Sequence, residues 1–229
     1  MRSTPSQSNA AGFTIVELLI ATVVFTGILM LVTAGVTHFS NEYYRASYAN
    51  TVQSQVRSIS DDITQSLQFG AAGLTYTPDG PVPDITASCV GSKMYIFRRG
   101  VAFDGSTRYE APGLYRQSWD GKPESCTAPS NASWVPTAGT QLLQKNMRLT
   151  QFSISGSDGT GYDVKIRIAY GDIDLLCAAG QPGCATDEPA PFTTDAAVAA
   201  AGNAVQCRSG TGSQFCAVSN IDATVTGRN

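Results

Sequence analysis

The side chains with the most evident chemistry are six cysteines, and their spacing favours disulfide bonds over a metal site. They are Cys89, Cys126, Cys177, Cys184, Cys207 and Cys216. An even number, all placed after an apolar N-terminal segment, predicts disulfides formed in an oxidising compartment. Zinc binding and free thiols are the alternatives. However, no Cys-x-x-Cys spacing is present, and the single histidine, His38, lies beside the apolar segment and far from the cysteines.

The most local pairing of these cysteines is the predicted one. Cys177 with Cys184 would close a short loop, Cys207 with Cys216 would bracket a turn before the last strand, and Cys89 with Cys126 would join the early strands across a sheet. Six cysteines allow fifteen pairings, so the others stay open.

The remaining residues give no pattern typical of an enzyme. One histidine next to an apolar segment excludes a Ser-His-Asp or Cys-His site in the rest of the chain. No phosphate-binding glycine loop of the Walker type occurs. The acidic residues near turns do not have EF-hand spacing and are interpreted as solvated turn residues. They are Asp79, Asp84, Asp158, Asp172, Asp174, Asp187 and Glu188. We therefore expect no catalytic activity, no metal and no cofactor.

Charge and composition are typical of an exported protein, and no basic patch for nucleic acid stands out. Charged residues make up 14% of the chain, against about 25% in typical soluble domains. Basic residues are scattered, and Arg98 and Arg99 are the only adjacent pair. Ser, Thr, Asn, Gln and Gly must therefore cover the surface, as they do in many exported proteins.

One carboxylate, Glu17, stands inside the apolar segment, which extends from Phe13 to Val36 with no other charge. A helix of this length measures about 36 Å, enough for a hydrocarbon core of about 30 Å. The twelve residues before it carry one basic side chain, Arg2, so this stub should stay cytoplasmic and the chain after His38 should be exported.

Two ordinary interpretations of the segment leave Glu17 unexplained. It could be a secretory signal cleaved near Val32, Thr33 and Ala34, or an uncleaved anchor. A charge near the bilayer centre costs on the order of 3 kcal/mol, so a carboxylate in the segment needs a reason.

The residues FTIVELL after Gly12 resemble the processing site of type IV prepilins. The resemblance implies that a membrane-embedded peptidase cuts between Gly12 and Phe13 and methylates the new amine of Phe13. It also implies that Glu17 neutralises the terminal amine of a neighbouring subunit in a filament. A first-turn glutamate stabilised by its own helix dipole is the alternative, at about 0.3 to 1 kcal/mol. The partners implied are a prepilin peptidase, other pilins or pseudopilins, and an inner-membrane assembly platform.

The apolar pattern continues beyond the membrane segment as an amphipathic stripe. Its spacing of three or four residues predicts that residues 37–70 prolong the helix, which would run from Phe13 to Gly70 without a proline. The stripe consists of Tyr44, Tyr48, Val52, Val56, Ile59, Ile63 and Leu67. Tyr43, Tyr44 and Tyr48 are interpreted as an interfacial belt or as domain packing, with a ligand platform as the alternative.

The exported head, residues 71–229, changes to turns and short strands. Residues 78–84 predict a loop, and strands are predicted over Lys93–Arg99 and from Gly113. An antiparallel hairpin is predicted from Leu142–Gly156 and Tyr162–Tyr170, and a closing strand from Gln214. Within the hairpin, apolar Val164, Ile166 and Ile168 alternate with Lys165 and Arg167. Residues 177–212, rich in Ala, Gly, Pro and Thr, are interpreted as an insertion held by cysteines.

Together these elements predict an α+β protein with a leader (1–12), a transmembrane helix (13–36), its amphipathic continuation (37–70) and an antiparallel β head (71–229). This order resembles the pilin fold, with a looser likeness to J-type pseudopilins. The first hypothesis is a structural subunit, a minor pilin or pseudopilin of a type IV pilus or type II secretion-like filament. It would be a single-pass cytoplasmic membrane protein before assembly, then part of a pilus or the cell surface. The alternative is an exported binding domain or enzyme with an ordinary signal segment.

Overall fold

The computed structural model describes residues 12–69, 85–105, 113–120, 122, 125–126, 139–157, 161–180, 184 and 191–226. The leader up to residue 11, the loop 78–84 and Asp79, Asp84, Asp158, Asp187 and Glu188 lie outside the described residues. The chain divides into two compact units, one ending at Tyr43 and one beginning at Tyr44.

The first element is one long helix, α1, Ile15–Phe69, of 55 residues. The predicted helix began two residues earlier, at Phe13, and its predicted last residue, Gly70, lies outside the described residues. No proline interrupts this stretch, so each backbone N–H can bond the preceding turn. The most apolar window of α1 has a mean hydropathy of 2.6 and none of it is buried, so α1 is a candidate membrane anchor.

Nine strands and a second helix follow α1 in the described part of the chain. They are β1 Ile85–Val90, β2 Lys93–Arg98, β3 Gly113–Ser118, β4 Thr140–Gln141, β5 Met147–Ser157, β6 Gly161–Tyr170, β7 Leu176–Ala178, α2 Asp195–Ala201, β8 Val205–Cys207 and β9 Ala217–Val225. Short 3-10 turns lie at Ile173–Leu175, Gly202–Ala204 and Ser213–Phe215.

The strands form three antiparallel sheets. The first has the order β1-β2-β3-β4, the second β5-β6-β9 and the third β7-β8. In the second sheet β6 is central, with Ile166 opposite both Phe152 of β5 and Ile221 of β9. The predicted hairpin of β5 and β6 is confirmed, although β5 begins at Met147 rather than Leu142, and the closing strand β9 begins at Ala217 rather than Gln214.

The main core lies between the second half of α1 and the first two sheets. Five residues of the predicted stripe are buried there: Val52, Val56, Ile59, Ile63 and Leu67. They share one cluster with Tyr95 and Phe97 of β2, Leu149 of β5 and Val164 and Ile166 of β6. The buried face predicted for β6 is confirmed, because Val164, Ile166 and Ile168 are buried. On the opposite face Lys165 is exposed as predicted, but Arg167 is half-buried. A shift of one residue would turn the apolar side chains of these strands away from the core, so the core fixes the register of their pairing.

The segment predicted as an insertion contains regular structure. Strands β7 and β8 pair with each other, and α2 packs against them in a separate apolar cluster that includes Leu176, Val198 and Val205. Thr194 caps α2, since its side chain accepts a hydrogen bond from the N–H of Ala197. Gly100, with φ +82°, lies so close to α2 that a Cβ there would collide with the carbonyl of Asp195.

The described architecture is therefore α+β, with a long N-terminal helix and antiparallel sheets. Strand β1 was not predicted, because its residues are buried without the alternation that marks a half-exposed strand.

Candidate functional site

The start of α1 is a capping box formed by Thr14 and Glu17. The Glu17 carboxylate accepts hydrogen bonds from the backbone N–H of Thr14 at 3.0 Å and from its hydroxyl at 2.9 Å. In return, the N–H of Glu17 donates to Thr14 Oγ1 at 3.3 Å. Such reciprocal bonds satisfy donors that a helix leaves unpaired in its first turn. Glu17 thus has a local role as well as any role between subunits.

The capping box does not use the whole carboxylate. Both bonds are accepted by Oε2, and none from a described residue reaches Oε1. The ion pairs of the described residues also do not include Glu17. A carboxylate has room for several donors, so Oε1 can accept from a cationic group outside the described chain.

No described residue lies close enough to Gly12 to require a glycine there. A Cβ built at Gly12 meets no atom of a described residue within 4 Å. The packing of the described residues therefore does not restrict the side chain at this position.

The first half of α1 exposes every large apolar side chain that it carries. Ile15 is 82% exposed, Leu31 76% and Phe39 72%. A single exposed apolar side chain is common, but a continuous apolar surface around a helix needs a cover of lipid or protein.

No family model, curated protein or solved structure matches this chain.

The six cysteines form the three bonds that local pairing predicted. They join Cys89 to Cys126, Cys177 to Cys184 and Cys207 to Cys216, with Cα–Cα distances of 6.0, 5.6 and 5.8 Å. No free cysteine remains. One detail differs: Cys89 lies in β1, but Cys126 lies in the segment after β3 and not in a strand, so this bond does not cross the sheet from strand to strand. It lies in a second buried cluster with Met94, Ile96 and Trp119.

A charged network around Asp62 joins α1 to the first sheet. The carboxylate accepts from Lys93 Nζ at 2.8 Å, from the Tyr95 hydroxyl at 2.7 Å and from Arg116 Nη1 at 2.7 Å. Burial by itself would raise the pKa of Asp62, but the hydrogen bonds from Lys93 and Tyr95 and the charges of Arg116 and Lys93 outweigh it, so this pKa is lowered. Burial, together with the carboxylate of Asp62, raises the pKa of Tyr95.

Sequence reasoning missed this network, although a signal was present. Asp62 follows Ile59 by three residues and precedes Ser66 by four, and both of those residues are buried. Positions three and four apart lie on one helix face. A charge at the edge of the apolar stripe therefore indicated a partner in the sheet.

The aromatic residues at the start of the second unit pack within it. Tyr48 stacks on Tyr170 with ring centroids 4.5 Å apart, and Tyr44 lies 5.8 Å from the ring of Phe215. Domain packing, one of the predicted roles, therefore holds for Tyr44 and Tyr48. Tyr43 is 63% exposed and stacks on Phe39.

A second missed residue is Arg148 of β5, whose side chain is 4% exposed. It donates to the carbonyls of Gly100 and Gly171 at 3.0 and 3.2 Å and to the carboxylate of Asp195 at 2.9 Å. Burial lowers the pKa of Arg148, and the charge and hydrogen bond of Asp195 oppose that shift. Arg148 thereby connects the ends of two sheets to the start of α2.

Within the described residues, no three His, Cys, Asp or Glu side chains are gathered as a metal site would require. His38 is exposed on α1. The residues with the clearest functional geometry are thus those at the start of α1.

Proposed function

We propose that this chain is a pilin-like structural subunit, a minor pilin or pseudopilin of a type IV pilus or type II secretion-like filament. A prepilin peptidase cuts it after Gly12 and methylates the amine of Phe13. The subunit then leaves the membrane and enters the filament through the first half of α1. Its role is assembly and not catalysis.

The observation that carries the proposal is that Gly12 and Phe13 directly precede a helix whose first half is apolar and exposed, with Glu17 in its first turn. A Cβ at Gly12 would meet no described residue within 4 Å, so packing does not account for the glycine, whereas a peptidase that accepts only a small residue before the scissile bond would. The Oε1 atom of Glu17 accepts no hydrogen bond from a described residue. Glu17 follows Phe13, whose amine cleavage would create, by four positions. In an apolar filament interior a carboxylate and an ammonium are each costly alone and stabilise each other when paired.

The exposed apolar side chains in the first half of α1 suit both the membrane-bound subunit and the assembled filament. Before assembly, lipid would cover its side chains, and α1 is long and apolar enough for that. After assembly, the same surface would pack against the helices of neighbouring subunits. A membrane anchor with a capping box would explain the apolar surface and the local bonds of Glu17, but it would give no reason for a glycine at position 12.

The head agrees with the same proposal. Its antiparallel sheets packed on the second half of a long helix form an α+β layout, which supports the proposal. Its three disulfides fit a domain outside the cytoplasm. The assembly partners would be other pilins or pseudopilins and an inner-membrane assembly platform.

The test is N-terminal analysis of the mature chain by mass spectrometry. We expect it to begin at N-methylated Phe13. A mature chain that begins at Gly35 would instead indicate an ordinary secreted domain, and an intact Met1 would indicate a plain anchor.

A matched pair of variants sharpens this test. Gly12→Val should leave the full-length precursor in the membrane, because a valine before the scissile bond would not fit the peptidase. Gly27→Val is the control, since a Cβ at Gly27 also meets nothing within 4 Å, and it should be trimmed normally. Normal trimming of Gly12→Val would contradict the proposal.

A further inference from the structure

A cavity of about 740 Å³ lies within the second unit, where α1, β6, β8 and β9 come together. Arg45 and Ala49 of α1, Arg167 of β6 and Arg208 just after β8 contribute to its lining, and Cys216 and Val218 contribute from the β9 side. This volume lies in the range of small-molecule sites, about 300 to 1,000 Å³.

The lining of this cavity is strongly positive. Of the described residues that line it, three are arginines and none is Asp or Glu. The ion pairs of the described residues involve Asp62, Asp120 and Asp195 and include none of the three arginines. Their positive charge is therefore not neutralised by a contact inside the described chain.

Two of the three guanidinium groups are half-buried and held by neutral groups. Arg167 Nη2 donates to the carbonyl of Val205 at 2.6 Å, and Arg208 Nη1 donates to the carbonyl of Asp174 at 2.9 Å. The buried Nε atoms of both have no acceptor among the described residues. Burial lowers the pKa of Arg167, and the nearby charge of Asp222 opposes that shift. An arginine stays charged when it is half-buried. The free-energy cost of removing its guanidinium group from water is therefore only partly offset by the hydrogen bonds to neutral carbonyls.

Disulfide bonds restrain part of the cavity lining. Arg208 follows Cys207 directly, and Cys207 is bonded to Cys216, which also lines the cavity. Cys184, which also lines it, is bonded to Cys177. Groups held in place before a ligand arrives lose less entropy on binding.

From this arrangement we infer that the cavity is a binding site for an oxyanion, a phosphate or carboxylate group on a small ligand or on a lipid headgroup. Guanidinium groups bind such groups with paired, charge-assisted hydrogen bonds. The bound anion would join the helix through Arg45 to the second sheet through Arg167 and to the disulfide-bonded segment through Arg208. The inference is independent of the filament proposal, since it concerns only the second unit.

The experiment is calorimetric titration of the full chain in detergent micelles with sodium phosphate and with citrate, against sodium chloride at equal ionic strength. We expect saturable binding of phosphate or citrate and none of chloride. Heats equal to those of chloride for both anions would overturn the inference.

Charge-removing variants locate the site. Arg208→Gln and Arg45→Gln should each weaken binding about tenfold or more, the effect of losing one hydrogen bond to a charged partner. Arg45 is exposed and bonds no described residue, so its replacement should leave folding intact. Arg57→Gln on the same helix and Lys165→Gln on β6 are the controls, because both are exposed and lie outside the cavity lining. If Arg57→Gln weakened anion binding as much as Arg45→Gln does, the inference would be overturned.

Nanodiscs distinguish the two sources of the anion. If a lipid headgroup occupies the cavity, phosphatidylglycerol discs should weaken phosphate binding several-fold relative to phosphatidylcholine discs, and Arg45→Gln should remove that difference. If the natural ligand is a free solute, phosphate should bind equally in both discs and remain sensitive to Arg45→Gln. Insensitivity to Arg45→Gln in both discs would count against the site itself.

Discussion

The two units of this chain differ in whether their apolar side chains are exposed or buried. In the first, residues 12–43, Phe13, Leu31, Phe39 and the other large apolar side chains are all exposed. In the second, the same helix buries five apolar side chains between Val52 and Leu67 in a core with two sheets. Since the helix is continuous, backbone structure does not distinguish the units. The difference shows that the second unit folds on itself, whereas the first needs a surface from outside the described chain.

The same contrast appears in one carboxylate of each unit. Asp62 lies beside buried apolar residues and has Lys93, Tyr95 and Arg116 within 2.8 Å. Glu17 lies among exposed apolar residues and bonds only Thr14 among the described residues. A charge at an apolar surface is stable when it has a cationic partner. Asp62 finds its partners inside the chain, and the proposed function supplies one for Glu17 from a neighbouring subunit.

The largest expected effect is on filament assembly, and it comes from a residue of the first unit. Glu17→Ala should still be trimmed to Phe13 yet be lost from filaments, because the terminal ammonium of a neighbour loses its partner in an apolar interior. The measurement is recovery of the variant in sheared filaments, with its N-terminus checked by mass spectrometry. Recovery at the wild-type level would contradict the pairing.

Thr14→Ala separates the local role of Glu17 from the assembly role. This variant removes the capping box but keeps the carboxylate, so it should cost about 1 kcal/mol of helix stability and still enter filaments. If Thr14→Ala is lost from filaments as completely as Glu17→Ala, then capping and not pairing is the function of Glu17.

Helix and hairpin positions were predictable because their patterns are local. The stripe from Val52 to Leu67 has helical spacing, and Val164, Ile166 and Ile168 alternate along β6, so each pattern identified both an element and its buried face. Helix α2 was also within reach. Thr194 before an alanine-rich run and Gly202 after it are ordinary signs of a helix start and end.

The polar networks were not predictable in the same way, because their members are distant in sequence. Asp62 meets Arg116, which is 54 residues away, and Arg148 meets Asp195, which is 47 residues away. The cavity with Arg45, Arg167 and Arg208 likewise depends on how α1 and the sheets pack. At the start of α1, sequence predicted Gly12, Phe13 and Glu17 as functional residues. The capping role of Thr14 was missed, although threonine followed three residues later by glutamate is the pattern of a capping box.

The next prediction concerns the free energy of unfolding of the second unit, which the disulfides stabilise. Replacing Cys89 and Cys126 together by alanine should lower the free energy of unfolding by about 4 kcal/mol, because this bond closes a loop of 37 residues. Replacing Cys207 and Cys216, which are nine residues apart, should cost about 2.5 kcal/mol. Denaturant unfolding of the full chain, followed by tryptophan fluorescence, measures both. Equal losses, or a larger loss for the short loop, would contradict the ranking.

A matched pair of isoleucines compares the two units directly. Ile59 is 1% exposed, so Ile59→Ala should destabilise the second unit by about 3 kcal/mol through lost burial and the cavity left behind. Ile28 is 53% exposed, and Ile28→Ala should leave that unfolding transition unchanged. The same denaturant experiment in detergent gives both values. A comparable loss for Ile28→Ala would show that the first half of α1 also stabilises the head, against the division drawn above.

The last of these effects concerns Asp62. Asp62→Asn keeps the shape but removes the charge that Lys93 and Arg116 share, and it should cost about 2 kcal/mol at neutral pH, since both cations are partly exposed. Asp61→Asn is the control, because Asp61 is the next residue on the same helix and is exposed. It should unfold like the wild type.

The cost of Asp62→Asn should also depend on pH in one direction. The folded pKa of Asp62 lies below its ordinary value of 3.8, so its charge stabilises the fold fully above that value and less as the pH falls through the lowered one. Wild type should therefore lose its advantage over Asp62→Asn below about pH 4, while the variant lacks this part of the acid dependence. Denaturant midpoints measured for both proteins from pH 7 down to about pH 2 would show the two curves converging. Curves that stay parallel to the lowest pH would mean that the carboxylate of Asp62 acts through shape and not through charge, and that Lys93 and Arg116 do not neutralise it.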